Sequence, residues 1–118
     1  MREGRLQHLD RGLDRAGRFR AYLQGDRASL ANIELARRKA VTALTFRRTS
    51  MEWAQRTAGA SDLAGQRSLT DVIPLGGGIP IKVGEDTIGA IGVSGAPGQD
   101  KDEACAQAGL AKVADQLK

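Results

Sequence analysis

Between Val72 and Gly95 the chain reads VIPLGGGIPIKVGEDTIGAIGVSG, and this stretch limits the fold more than any other. Apolar β-branched residues (Val72, Ile73, Ile79, Ile81, Val83, Ile88, Ile91, Val93) are cut by turn residues at Gly76 to Gly78, Gly84 and Gly95. That pattern predicts two or three short strands. Gly84, Glu85 and Asp86 supply a tight reversal, so a hairpin with strands Ile79–Val83 and Thr87–Val93 is expected. Gly89 and Gly92, inside the second strand, weaken it unless something packs close against the backbone there. A ligand, a partner chain or a crossing helix would each serve.

Size and composition bound what can be built around this hairpin. A chain of 118 residues makes one domain with one modest core. Only 3% of its residues are aromatic, so that core must be made of small aliphatic side chains packed closely. Such a core leans on oligomer contacts for further burial. The net charge of +4 is carried by arginines in the first half, and an excess this mild reads as solubility. Cys105 is the only cysteine, which rules out an intramolecular disulfide and a thiolate zinc cluster. No apolar run is long enough for a bilayer, and no apolar segment follows the Met-Arg-Glu-Gly-Arg start. A reduced, cytoplasmic compartment is the expectation.

Ahead of the hairpin, Leu6, Leu9 and Leu13 recur at helical spacing among charges and glycines, a poor helix and a poor strand. Residues 1–13 are therefore expected to be poorly ordered. Phe19 to Leu23 reads as a short strand with Phe19, Ala21 and Leu23 on one face. A helix is expected from Ala28 or Ser29, placing Leu30, Ile33, Ala36, Ala40, Val41 and Leu44 on its inner side. Thr49 and Glu52 have the spacing of a capping box for a second short helix carrying Met51 and Trp53. A closing helix begins near Asp100 and carries Ala106, Leu110, Val113 and Leu117 on one stripe, its first turn rich in Asp100, Asp102 and Glu103 as the helix dipole favours.

With these segments in place a resemblance is visible. Ser29 to Thr49, with Ala36-Arg-Arg-Lys-Ala-Val-Thr-Ala43 and then Phe46-Arg-Arg-Thr49, resembles the principal helix of the GlcG/HbpS haem-binding-like family, also found as the C-terminal domain of PduO-type proteins. Gly77-Gly-Ile-Pro-Ile81, Gly89-Ala-Ile-Gly-Val-Ser-Gly95 and Gln99 to Leu110 are similar to its most characteristic segment, and the match runs from Asp14 to Leu117. The resemblance implies an α+β, profilin-like fold, an antiparallel sheet flanked by helices, assembled as a homo-oligomer that binds haem or a corrinoid. The family's N-terminal helix and first strand are shortened or degraded here, since Leu6 to Leu13 is too charged for a central strand. Gln24 stands where the family has an arginine.

Under that resemblance the ligand cleft lies between the glycine-rich hairpin and the Lys39 helix, with Lys39, Thr42, Gly77, Gly78 and Pro80 as its residues. His8, the only histidine, is the candidate haem-iron ligand, with Cys105, Met51 and Tyr22 as alternatives. His8 in a polar N-terminus is also well explained as solvated, and Cys105 as a small buried residue. Lys39, among small apolar neighbours, is a candidate acid/base or anion clamp, although snorkelling explains many helix lysines. Gly76 to Gly78 could cradle an anion but match neither a P-loop nor a dinucleotide fingerprint, and a strand-joining turn explains them equally. Ser94 lacks a nucleophile elbow. Arg37, Arg38, Arg47 and Arg48 have no interleaved aromatics, so no nucleic-acid partner is expected, and no membrane partner either.

Three functions remain open at this level. One is a binding module for haem or a small anionic ligand. A second is an enzyme or accessory protein of small carboxylic-acid or aromatic catabolism using Lys39 with the Gly77 and Gly78 amides. The third is a reduced family member kept for assembly.

Overall fold

The glycine-punctuated stretch folds as its alternation requires. The structure is a computed structural model that describes residues 9–24, 29–95 and 98–113, with backbone alone at 9–11, 19–24 and 113. In it β3 (Gly78–Val83) and β4 (Asp86–Ser94) form an antiparallel hairpin closed by Gly84 and Glu85. Gly84 takes a φ of 62°, a left-handed conformation that suits glycine in a two-residue hairpin turn.

Two earlier strands, β1 (Leu9–Asp14) and β2 (Phe19–Gln24), complete a four-stranded sheet in the order β2-β1-β4-β3, each neighbour antiparallel. Leu9–Asp14 is thus an inner strand, against the expectation that its charges would exclude it. The reason lies in how little an antiparallel strand needs, because one buried face suffices. Leu13 provides that anchor, packing against Ala40, Ala43 and Ala90. Asp14 then ends the strand by accepting hydrogen bonds from the amides of Ala16 and Arg18.

Along β1–β2, Ala21 pairs with Gly12 but Phe19 pairs with Leu13, because a bulge interrupts the ladder at that point.

The principal helix, α1 (Leu30–Phe46), begins at Ser29, whose Oγ accepts from the Asn32 amide. Its buried side is Ala36, Lys39, Ala40, Thr42 and Ala43, whereas Leu30 is 83% exposed. The larger aliphatics Ile33, Val41 and Leu44 are only half-buried. Apart from Lys39 the inner face is made of small residues, because the α1 backbone lies directly against Gly78 and Gly92 of the sheet. A second helix, α2 (Ser50–Arg56), starts with the expected cap, the Glu52 amide donating to Thr49 Oγ1 at 3.1 Å. It buries Trp53, which stacks on Phe46 with ring centroids 5.0 Å apart and donates from Nε1 to Gln66 Oε1 in a 3₁₀ turn at Ala64–Ser68.

The last helix, α3 (Gln99–Val113), covers the other face of the hairpin. Along β4, Ala90 belongs to the α1 side, while Ile91 and Val93 pack with Ile79, Cys105, Ala106 and Leu110 on the α3 side. The sheet is therefore sandwiched at its β3–β4 half, with separate apolar clusters above and below. Among the described residues no helix is long and apolar enough to cross a membrane.

The segment joining the 3₁₀ turn to β3 is tied to α1 by charge. Arg37 holds Glu34 by two contacts of 3.1 Å and Asp71 at 2.7 Å, and Arg38 donates to the Val72 carbonyl. The hydrogen bond and charge of Arg37 lower the Asp71 pKa from its ordinary value of 3.8. A carboxylate depressed in the folded state stabilises above its unfolded pKa, and that contribution is lost as pH falls through the folded value. Acid unfolding followed by circular dichroism should accordingly be less steep below about pH 4 in Asp71→Asn than in the parent. Identical acid limbs would remove Asp71 from the account.

Candidate functional site

Three of the residues expected to line a cleft, Lys39, Gly77 and Gly78, do meet, and they meet in contact. Lys39 leaves α1 near the start of β3 and passes Gly77, and its Nζ reaches Asp102 Oδ2 of α3 at 2.8 Å and the Val93 carbonyl at 3.1 Å. Both side chains of the pair are almost wholly buried, 3% and 5% exposed. Gly77, at a φ of 127°, makes this crossing possible. A Cβ there would stand 2.9 Å from Lys39 Cδ and 3.0 Å from Asp102 Cβ, and would collide with the Val93 carbonyl.

Gly78 is as confined. A Cβ on it would strike the Lys39 carbonyl, and its amide donates to the buried Ser50 Oγ at 2.8 Å. The Gly76 amide donates to Gln99 Oε1 at 2.7 Å. Two of the three amides that could have cradled an anion are therefore taken by side chains, and the strand-joining reading of Gly76 to Gly78 is the one this geometry favours. The Thr42 hydroxyl is spent as well, donating to the Arg38 carbonyl at 2.7 Å and accepting from the Ile73 amide at 2.9 Å. Pro80 sits on β3 opposite Ala90.

The other half of the early question is answered by Gly89 and Gly92. Gly92 faces α1, where a Cβ would strike the Ala36 carbonyl and come within 2.9 Å of the Ala40 nitrogen, while Gly89 is confined by the Leu13 carbonyl of β1. A crossing helix and a neighbouring strand, rather than a ligand, are what these glycines admit.

Of the alternative iron ligands, Cys105 is free and buried in the apolar cluster under α3. The Met51 methyl lies against Gly76. Tyr22 stands on β2 in register with Arg11, and His8 lies outside the described residues. Ser94 Oγ donates to Asn32 Oδ1, a bond between β4 and α1. Among the described residues no group of three or more His, Cys, Asp or Glu gathers to hold a metal ion.

Sequence reasoning missed Asp102 as the counterion of Lys39 and assigned it only to the helix dipole. The signal was present, since a lysine among alanines needs a partner and Asp102 falls three and four residues before Cys105 and Ala106.

The fold is shared with known proteins. A family model described as "Haem degrading protein HbpS-like" matches residues 13–111. The chain belongs to the HbpS-like family. No curated protein matches it significantly. Among solved structures, a double Glu-to-Asp mutant of Streptomyces reticuli HbpS is 31% identical, with a TM-score of 0.84 over 92% of this chain and 72% of that one. Klebsiella pneumoniae protein ORFY is 26% identical, with a TM-score of 0.80 over 86% and 71%. A PduOC–haem complex is also 26% identical, with a TM-score of 0.82 over 88% and 76%. The HbpS-like match contains both segments that carried the resemblance, the Lys39 helix and the Gly89 to Leu110 run.

Proposed function

We propose that this chain is a binding protein for haem or a related tetrapyrrole, working as a homo-oligomer in a reducing compartment. The observation that carries the reading is kinship in fold and sequence with a domain whose crystal structure is of a haem complex. Nothing in the geometry favours the enzymatic alternative or a corrinoid.

A tetrapyrrole needs an apolar slot and an iron ligand at its wall. The region between α1 and the Gly77–Gly78 backbone does not fit that requirement, because packed main chain and the Lys39–Asp102 pair fill it. Cys105 and Met51 are committed to packing within the subunit. The ligand is therefore assigned to the outside of this packed core, with His8 and Tyr22 as the iron ligands to test.

Hemin titration followed by absorbance is the direct experiment. A saturable Soret shift in the parent, lost in His8→Ala and kept in Tyr22→Phe, is the expected result. A shift no stronger than that of an unrelated protein of equal charge overturns the reading.

A further inference from the structure

Among the described residues, helix α3 is held to the rest of the molecule by little apolar surface. Of its described positions Asp102, Cys105 and Ala106 are buried, all within about one turn, and Glu103 and Leu110 are half-buried. Beyond that turn Gln107, Ala108, Gly109 and Ala111 are exposed, and Gly109, with open space around it, weakens the helix it sits in. The cluster beneath α3 (Ile79, Val93, Cys105, Ala106) shares no buried residue with the cluster between α1 and the sheet (Leu13, Ala40, Ala43, Ala90). Segments with few buried apolar contacts and a separate core are those that open first in native proteins.

Polar contacts add to this: Asp102 lies on the Lys39 ammonium, and the Gln99 side chain accepts from the Gly76 amide. The consequences of opening are asymmetric. When α3 lifts, small side chains lose modest burial, while the Lys39 ammonium and the Asp102 carboxylate both regain water. Lys39 stays on α1, and the α1-side cluster is untouched.

We propose that α3 is a detachable strap latched by the Lys39–Asp102 pair, opening as a unit without global unfolding and uncovering the apolar sheet face of Ile79, Ile91 and Val93. This inference does not depend on the tetrapyrrole reading. Because that face lies on the opposite side of the sheet from α1, the strap controls access to surface that the closed molecule hides.

Amide hydrogen exchange by mass spectrometry on the full chain tests it. In the parent, peptides from 99–113 should exchange at least about 10-fold faster than those from α1, and at a rate insensitive to low urea, while α1 exchange rises with urea. Asp102→Asn should speed α3 by a further factor of about 10 to 100 and leave α1 the slower element. The apolar pair Lys39→Met with Asp102→Leu should return α3 to the parent rate or below. Exchange of α3 and α1 at one common, urea-dependent rate in the parent overturns the proposal. So does an apolar pair whose α3 exchanges as fast as in Asp102→Asn. The parent and the apolar pair decide the matter even where Asp102→Asn does not fold.

Discussion

Gly92→Ala is expected to cost at least about 3 kcal/mol and to lower the melting temperature by about 10 °C or more. The added methyl has nowhere to go. It would meet the Ala36 carbonyl and stand 2.9 Å from the Ala40 nitrogen, both backbone atoms of α1, so no side-chain rotation relieves it. The helix would have to lift from the sheet, and the contacts of Ala40 and Ala43 with Ala90 and Leu13 would loosen with it. The same substitution elsewhere supplies its own control. Gly109 on α3 has no atom within 4 Å of an added Cβ, and Gly109→Ala should stabilise by about 0.5 to 1 kcal/mol through helix propensity. Thermal melts of the two variants should move in opposite directions. A Gly92→Ala protein melting within a degree or two of the parent would mean that α1 does not rest on β4 as described.

That contrast also explains what the sequence could and could not tell. The hairpin, the Thr49 cap and the closing helix were legible because each rests on local chemistry, such as a turn glycine or a hydroxyl three residues ahead of an amide. Close packing at Gly89 and Gly92 was legible as a requirement, but its author was not, since nothing local says that the intruder is Ala36 rather than a ligand. The inner side of α1 was misjudged at Leu30 because hydrophobic size was weighed ahead of fit. Where glycines line the facing strands, alanine, threonine and lysine are the residues that fit, and the larger aliphatics move to the flank. Leu9–Asp14 was misjudged because strand position was inferred from charge, whereas the ladder is made by backbone and asked only for Leu13. The bulge beside Phe19 left no mark in the sequence at all. Lys39, Gly77 and Gly78 do lie together, yet the sequence carries no measure of the gap between them, and the structure leaves none.

The nature of that contact sets the second large effect. Lys39→Met is expected to destabilise the protein by about 3 to 5 kcal/mol, because it leaves the Asp102 carboxylate buried without its ammonium. Methionine matches the lysine stem in length and apolar character, so packing beside Gly77 is largely kept and the loss measures the charge. Pairing it with Asp102→Leu should recover most of that loss, to within about 1 or 2 kcal/mol of the parent, since two apolar residues need no desolvation offset. Urea unfolding of the two single variants and the double gives the coupling energy directly, provided the slope with denaturant stays constant across the set. A Lys39→Met protein as stable as the parent would show that the ammonium is not confined, and would return Lys39 to the candidates for chemistry. A large single-variant loss with recovery in the double would instead show that Lys39 is committed to Asp102 in the closed molecule, as the contact that fastens α3.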